Sequence, residues 1–168
     1  MGCAGQLLVD GCGALIFAFS ILFLMYEISN QQIWATAISR NEAKGTAIIY
    51  RYVKEFRPGF VRDRQPDCII VVWRYQGEKG MPSLEERDRM DDFENALSPL
   101  QEAGFSTLAL VSTGNDLKEW TYYTQAKDAF LERLNAVLRS RAAFPVEIHA
   151  SPDPEWTTYE RFVIGVKN

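Results

Sequence analysis

The sequence is poor in the residues that build disulfide frameworks and metal sites. It contains three cysteines, Cys3, Cys12 and Cys68, and a single histidine, His149. An odd number of cysteines without a CxxC pair gives no basis for a disulfide framework, and one histidine gives none for a zinc site. We therefore predict that the protein has no metal site and no cofactor, and that it resides in the reducing cytoplasm.

An excess of positive charge is also missing. The net charge is -4 and the isoelectric point is near 5.1, so we expect no general affinity for nucleic acid. The length of 168 residues suits one domain with one core. We place that domain at residues 33–168 and treat residues 1–32 as an apolar leader.

The leader contains an uncharged run at Gly11–Tyr26, with no lysine or arginine before it. A secretory signal normally has such a cation, and a membrane-spanning helix normally needs about 20 residues, more than this run offers. Three interpretations stay open. The run could tether the domain to the inner membrane, it could pack within the protein, or the start codon could be placed too early, with Met25 as the true start.

From residue 33 onward, short apolar runs rich in β-branched residues alternate with turn sequences. They predict strands at 33–40, 46–53, 68–75, 105–113, 117–124 and 145–150. Ser83 followed by Glu86 forms a capping-box pattern that predicts a helix start, and Gly104 should stop that helix. A second helix is predicted at 126–141. This order predicts an α+β fold in which an antiparallel sheet carries two helices on one face, as a ferredoxin-like sandwich.

Apolar residues at helical spacing define the buried side of each predicted helix. In the first helix these are Leu84, Met90, Phe93, Leu97 and Leu100, and the acidic residues between them should face solvent.

A basic loop at 54–66 precedes the third strand and carries Lys54, Arg57, Arg62 and Arg64. One interpretation is a patch that binds an anion or an acidic partner. The other, which we favour, is a solvated connection whose arginines pair with the acidic helix that follows.

The segment Ser151–Phe162, written SPDPEWTTYERF, is the most distinctive stretch of the chain. Its two prolines predict a fixed bend, after which Asp153 can cap a short helix with Pro154 in its first turn. Trp156, Tyr159 and Phe162 are three residues apart and should lie on one side of that helix. We expect these aromatic side chains to hold the tail against the sheet.

Four features together resemble a bacterial family, the domain-of-unknown-function family 695. They are Trp34 at the first strand, the GxPSxEE pattern that begins at Gly80, the threonine-glycine turn at 113–114 with its aromatic strand, and DPEWxxY. The resemblance covers residues 33–163, and the tail at 162–168 departs from the family pattern. The motif residues are Trp34, Gly80, Pro82, Glu86, Glu94, Asp153, Pro154, Glu155, Trp156 and Tyr159.

This resemblance implies no established activity. A more distant similarity connects the family with the regulator of ribonuclease activity B family, whose ferredoxin-like inhibitor acts by protein contact. The resemblance therefore favours a non-enzymatic protein-interaction or regulatory module whose partner is another protein. An immunity-like protein that neutralises a toxin is a variant of the same hypothesis.

An enzymatic alternative uses Glu94, Tyr122, His149 and Asp153 as the acid, base and binding groups of a small hydrolase or ligand-binding enzyme. A nucleophile is not evident, because Cys68 belongs to a strand that should be buried. The hypothesis requires the four side chains to share one pocket.

Overall fold

Six strands form one antiparallel sheet in the part of the chain that the computed structural model describes, residues 31–167. The order of the strands across the sheet is β1-β2-β4-β5-β3-β6. All six predicted strands are confirmed to within a few residues. Their bounds are β1 Ile33–Asn41, β2 Thr46–Glu55, β3 Asp67–Arg74, β4 Ser106–Gly114, β5 Leu117–Thr124 and β6 Val146–Pro152.

Three α-helices accompany the sheet, which confirms the α+β class. They are α1 Leu84–Ala96, α2 Lys127–Leu138 and α3 Thr157–Lys167, and short 3-10 turns lie at Arg62–Arg64 and Ser98–Gly104. Helix α1 connects β3 to β4, and α2 connects β5 to β6.

The start of α1 is confirmed, because the Ser83 hydroxyl accepts a hydrogen bond from the Glu86 backbone N–H at 3.2 Å. The apolar side of this helix was predicted partly wrongly, since Leu84 is 71% exposed. A residue in the first helical turn, just after the cap, can point away from the sheet even when its spacing fits the stripe. The predicted helix also ends early, and Pro99 lies in the 3-10 turn that replaces its last turns.

The two faces of the sheet are covered by different helices. On the helix face, α1 and α2 pack against side chains such as Val71, Trp120 and Tyr122. On the opposite face, here called the tail face, α3 and the segment before it pack against Cys68, Ala109, Leu110 and Tyr123. Because successive side chains of a strand alternate, Tyr122 and Tyr123 serve opposite faces.

The prediction of helices on one face is thus right for α1 and α2 and incomplete for α3. The aromatic character of both faces explains the third layer, since Tyr123 and Cys68 would otherwise leave apolar surface open to water. Strand β3 is buried from both sides, as its continuous apolar sequence predicts.

The hairpin β1–β2 extends the sheet beyond the two helices. Strand β2 pairs with β4, whereas β1 pairs only with β2 and has no other strand beside it among residues 31–167. Ile38 lies opposite Ile49 in this hairpin, and the two side chains are 52% and 38% exposed. The helix face of the hairpin thus leaves two apolar side chains exposed.

Within residues 31–167, no helix is both long and apolar enough to cross a membrane. The run Gly11–Tyr26 lies outside the described residues, and so does Met25. The three interpretations of the leader stay predictions.

Candidate functional site

Asp153 caps the C-terminal helix from four residues before its start. Its carboxylate accepts backbone hydrogen bonds from Thr157 at 2.7 Å and Thr158 at 3.0 Å, and one from the Tyr123 hydroxyl at 2.8 Å. Burial raises the pKa of Asp153, but these hydrogen bonds from the Thr158 and Thr157 backbone and from Tyr123 outweigh it, so the net pKa is lowered. The carboxylate is therefore an ionised structural cap, as its position before the helix predicts.

Trp156 is fully buried and forms the centre of the tail face. Its ring stacks on Tyr123 with centroids 3.7 Å apart and an interplanar angle of 7°, and Phe56 and Phe60 meet it edge-on. Its indole N–H donates to the Gln65 carbonyl at 3.0 Å. The residue has φ +54°, a conformation that bulky side chains rarely adopt, so this packing holds the backbone in an unfavourable region.

Tyr159 completes the attachment of α3. It is 3% exposed, its hydroxyl donates to the Val53 carbonyl, and its backbone N–H donates to the Tyr123 hydroxyl at 3.2 Å. Burial raises the pKa of Tyr159 to about 12. Arg62 lies over the rings of Trp156 and Tyr159 and pairs with Glu160 of α3. Arg62 of the basic loop is thus paired with α3. The prediction that the loop arginines pair with the acidic helix α1 is wrong for this residue.

The other residues of the DPEWxxY motif, Pro154 and Glu155, are exposed and lie in the bend between β6 and α3. Helix α3 begins at Thr157, so Pro154 precedes the helix and does not occupy its first turn as predicted.

Two glutamates of the family pattern anchor α1 to the sheet. Glu86 accepts a hydrogen bond from the Trp73 indole at 2.5 Å, and Glu94 accepts one from the Trp120 indole at 2.8 Å. Each carboxylate also pairs with an arginine, Arg89 for Glu86 and Arg51 for Glu94. The Glu86 side chain therefore accepts a hydrogen bond from the Trp73 indole. In a capping box it would accept one from the backbone N–H of Ser83.

Gly80 and Pro82 shape a buried turn before α1. The Gly80 carbonyl accepts hydrogen bonds from the Asp116 backbone N–H and the Tyr75 hydroxyl, and Gly80 has φ +78°. A Cβ at this position would lie 2.9 Å from the Asn115 backbone nitrogen. Glycine is required here because two turns pack backbone to backbone.

The four candidate catalytic residues do not share a pocket. Glu94 and Tyr122 lie on the helix face, whereas Asp153 lies under α3 on the tail face. His149 is on the edge strand β6 with its side chain 62% exposed, 3.7 Å from Glu147. The four side chains therefore do not meet at one site, because the sheet separates Asp153 from Glu94 and Tyr122.

Tyr122 has one unusual property. Its ring is fully buried, and its hydroxyl has no hydrogen-bond partner among residues 31–167. Burial raises the pKa of this hydroxyl, and the nearby Glu94 carboxylate raises it further. The group is a neutral phenol that cannot serve as a base at ordinary pH.

Cys68 is free and buried on the tail face. Burial raises the pKa of its thiol to about 11, which keeps it protonated and unreactive. In the described part of the chain, no group of three histidine, cysteine, aspartate or glutamate side chains is arranged to hold a metal ion.

A pocket of about 340 Å³ opens at one end of the sheet, where β1 and β4 begin and β2 ends. Trp34 enters it from the start of β1 and Arg57 from the residues just after β2, while β4 contributes its first two residues. The lining residues are Gln31, Gln32, Trp34, Arg57, Gln101, Ser106 and Thr107. The sequence singles out Trp34 and Arg57 separately, but only the pairing of the strands brings them together.

The chain matches the family of unknown function DUF695 over residues 32–164. It matches no curated protein and no solved structure. The match spans all six strands and the first turns of α3, and it contains every motif residue named above. The chain therefore belongs to the DUF695 family.

Proposed function

We propose that this domain is a non-enzymatic module that binds another protein through the β1–β2 hairpin. The observation that carries this proposal is the open state of the hairpin. Among residues 31–167, no strand pairs with the outer edge of β1, and Ile38 of β1 and Ile49 of β2 are exposed on the helix face of the hairpin. An open edge with apolar side chains beside it is a surface onto which another chain can add.

Two of the four candidate catalytic residues already have structural roles, which supports a non-enzymatic function. Asp153 accepts three hydrogen bonds, and Glu94 accepts the indole N–H of Trp120. These groups fix α1 and α3 to the sheet. Because these carboxylates have structural roles, their presence in the sequence is no longer a reason to expect a catalytic site.

Charge suggests the nature of the partner. Residues 33–57 carry five basic side chains, Arg40, Lys44, Arg51, Lys54 and Arg57, against two acidic ones, Glu42 and Glu55. The chain as a whole has a net charge of -4. A locally basic hairpin on an acidic protein favours a partner with an acidic surface, because complementary charge steers association. A toxin held by an immunity-like protein would be one such partner.

The strand order supports a finer description of the fold as part of the same proposal. From β3 onward the elements follow the order β-α-β-β-α-β, and their strands lie side by side as β4-β5-β3-β6. We propose that this unit is a ferredoxin-like sandwich, with β1–β2 and α3 added to it. The proposed analogy with the regulator of ribonuclease activity B family rests on this unit, and fold alone does not imply function.

Affinity capture with matched variants tests the binding proposal. The full chain and its Ile38→Lys and Ile164→Lys variants are immobilised and exposed to extract of the source organism at low and high salt. Ile164 is the control, because it is 58% exposed on α3, which covers the tail face and lies on the opposite side of the sheet from Ile38. We expect a partner with the wild type and Ile164→Lys, less of it at high salt, and loss with Ile38→Lys.

Circular dichroism must first show that both variants melt like the wild type. If the wild type captures no partner at any salt concentration, the proposal of a protein-binding module is contradicted. A partner that is captured equally by Ile38→Lys would move the binding surface away from the hairpin.

A further inference from the structure

The pocket between Trp34 and Arg57 contains hydrogen-bond donors that have no acceptor among residues 31–167. Three of the four tryptophans donate their indole N–H to an acceptor within the chain: Trp73 to Glu86, Trp120 to Glu94 and Trp156 to the Gln65 carbonyl. Among residues 31–167, the indole N–H of Trp34 has no acceptor. Trp34 is the one tryptophan that lines the pocket.

Arg57 is the only charged residue in the lining, and it has no ion pair within residues 31–167. It is half-buried, and its guanidinium lies over the backbone of Gly104. A Cβ at residue 104 would collide with Nη2 of Arg57, so glycine leaves the room that the guanidinium occupies. This position differs from that of Arg51, Arg62, Arg74 and Arg89, each of which pairs with a carboxylate of the chain.

The remaining lining groups are neutral. The side-chain oxygen of Gln101 accepts a hydrogen bond from the Leu108 backbone N–H at 3.3 Å. The amide N–H₂ group of Gln101 is therefore the part of the side chain that can donate to a ligand. Ser106 and Thr107 add hydroxyls, although Ser106 already donates to the Leu100 carbonyl. One cation with several neutral donors and no carboxylate is the composition of a site for a single negative charge.

Strand pairing fixes the position of these groups. The antiparallel hairpin places the start of β1 beside the end of β2, with Ile33 opposite Glu55 and a register shift between Ile33 and Trp34. Strand β4 is antiparallel to β2, so its first residues also reach this end. Bulges are common where a strand directs a side chain into a site. The sheet therefore positions Trp34, Ser106 and Thr107, and Arg57 lies two residues after the end of β2.

We propose that this pocket binds a carboxylate, with Arg57 as the bidentate partner of its two oxygens and Trp34 as a second donor. A planar guanidinium matches a carboxylate in geometry, and an indole N–H can complete the coordination of the same oxygen. Two sources can supply this group, the acidic side chain of a partner protein or the terminal carboxylate of a peptide or small acid. The first source rests on the proposed function, whereas the second does not.

A titration followed by NMR tests the site directly. The indole N–H resonances of the full chain are recorded as four probes are added separately: N-acetylglutamate α-amide, N-acetylalanine, N-acetylglutamine α-amide and inorganic phosphate. The Trp34→Phe variant identifies the Trp34 resonance by its loss. The other three indoles report whether the fold is intact.

We expect the Trp34 resonance to move and saturate with at least one of the two carboxylates, while the three other indole resonances stay in place. A tighter Kd for the glutamate probe identifies a side-chain carboxylate as the ligand, and a tighter Kd for N-acetylalanine identifies a terminal one. The neutral glutamine probe, which has nearly the same shape, should bind at least about tenfold more weakly.

Variants of Arg57 complete the test. Arg57→Gln should abolish the saturable shift, Arg57→Lys should retain weaker binding, and Arg40→Gln should bind as the wild type. Arg40 is the matched control because it lies on the same strand as Trp34 but outside the pocket.

Equal shifts with the glutamine probe or with phosphate, an unchanged titration in Arg57→Gln, or the absence of any saturable shift would overturn the assignment. Because the probes are small molecules, this result is independent of whether a protein partner is captured.

Discussion

Two tryptophans of the family pattern, Trp156 and Trp34, lie in contrasting surroundings. Trp156 is fully buried, stacked on Tyr123, and hydrogen-bonded to a backbone carbonyl. Trp34 is half-buried at a pocket beside an arginine that pairs with nothing in the described chain. The contrast places one tryptophan in the buried tail face and the other at the lining of a pocket, where we propose a role in binding.

The largest expected effect is on stability. Trp156→Ala empties a buried aromatic site and should lower the free energy of unfolding by roughly 3 to 5 kcal/mol. Urea denaturation followed by circular dichroism measures the change. A midpoint equal to that of the wild type would mean that Trp156 has a surface role, and the comparison between the two tryptophans would then fail.

The Asp153 cap of α3 provides a further prediction, which concerns how the free energy of unfolding depends on pH. Asp153→Asn should destabilise the protein by about 1 kcal/mol at neutral pH, because the ionised cap and its hydrogen bonds are weakened. The pKa of Asp153 is lowered on folding, so its stabilisation is present above the unfolded pKa of about 3.9 and is lost as the pH falls through the folded pKa.

Unfolding free energies measured from neutral pH down to acid should therefore show the gap between wild type and Asp153→Asn closing below about pH 4. A gap that is constant over this range would assign the effect to packing and not to the charge of the carboxylate.

Adjacent tyrosines provide a matched pair on opposite faces. The Tyr123 hydroxyl donates to Asp153 and accepts from the Tyr159 N–H, so Tyr123→Phe should cost about 1 to 3 kcal/mol. The Tyr122 hydroxyl is buried without a partner in the described chain, so Tyr122→Phe should be neutral or stabilising by up to about 1 kcal/mol. Thermal melts of the two variants, side by side, measure the difference. Equal losses would mean that the Tyr122 hydroxyl has a partner that the static structure does not show.

The smallest effect should come from Trp34→Phe. This change keeps an aromatic ring at a half-buried position and removes an indole N–H that has no acceptor in the described part of the chain, so stability should change by about 1 kcal/mol or less. Denaturation under the conditions used for Trp156→Ala gives the direct comparison. A loss as large as that of Trp156→Ala would make Trp34 a structural residue as well.

Local patterns in the sequence predict the elements well. The apolar strand runs and the Ser83 cap follow from rules that operate over a few residues, and the structure confirms them. The burial of Cys68 follows in the same way from the continuous apolar run around it.

Long-range contacts are harder to infer. The loop arginine Arg62 pairs with Glu160, which lies 98 residues away in the chain, and not with the acidic helix nearby in sequence. The Trp34–Arg57 pocket likewise depends on the order of β1, β2 and β4 in the sheet. Spacing along the chain does not determine which strands become neighbours, so neither contact could be predicted from it.

The attachment of the tail also bears on how the chain can be made. The Tyr159 hydroxyl reaches the Val53 carbonyl across 106 residues, and the Trp156 indole reaches the Gln65 carbonyl across 91. During synthesis, β2 and β3 therefore emerge from the ribosome long before the segment that covers their tail face. Until residue 159 is available, Tyr123, Cys68 and Leu110 lack their cover, and a chain that stops early would expose an aromatic surface to chaperones and proteases. Burial of the tail face therefore depends on the last segment of the domain to be synthesised.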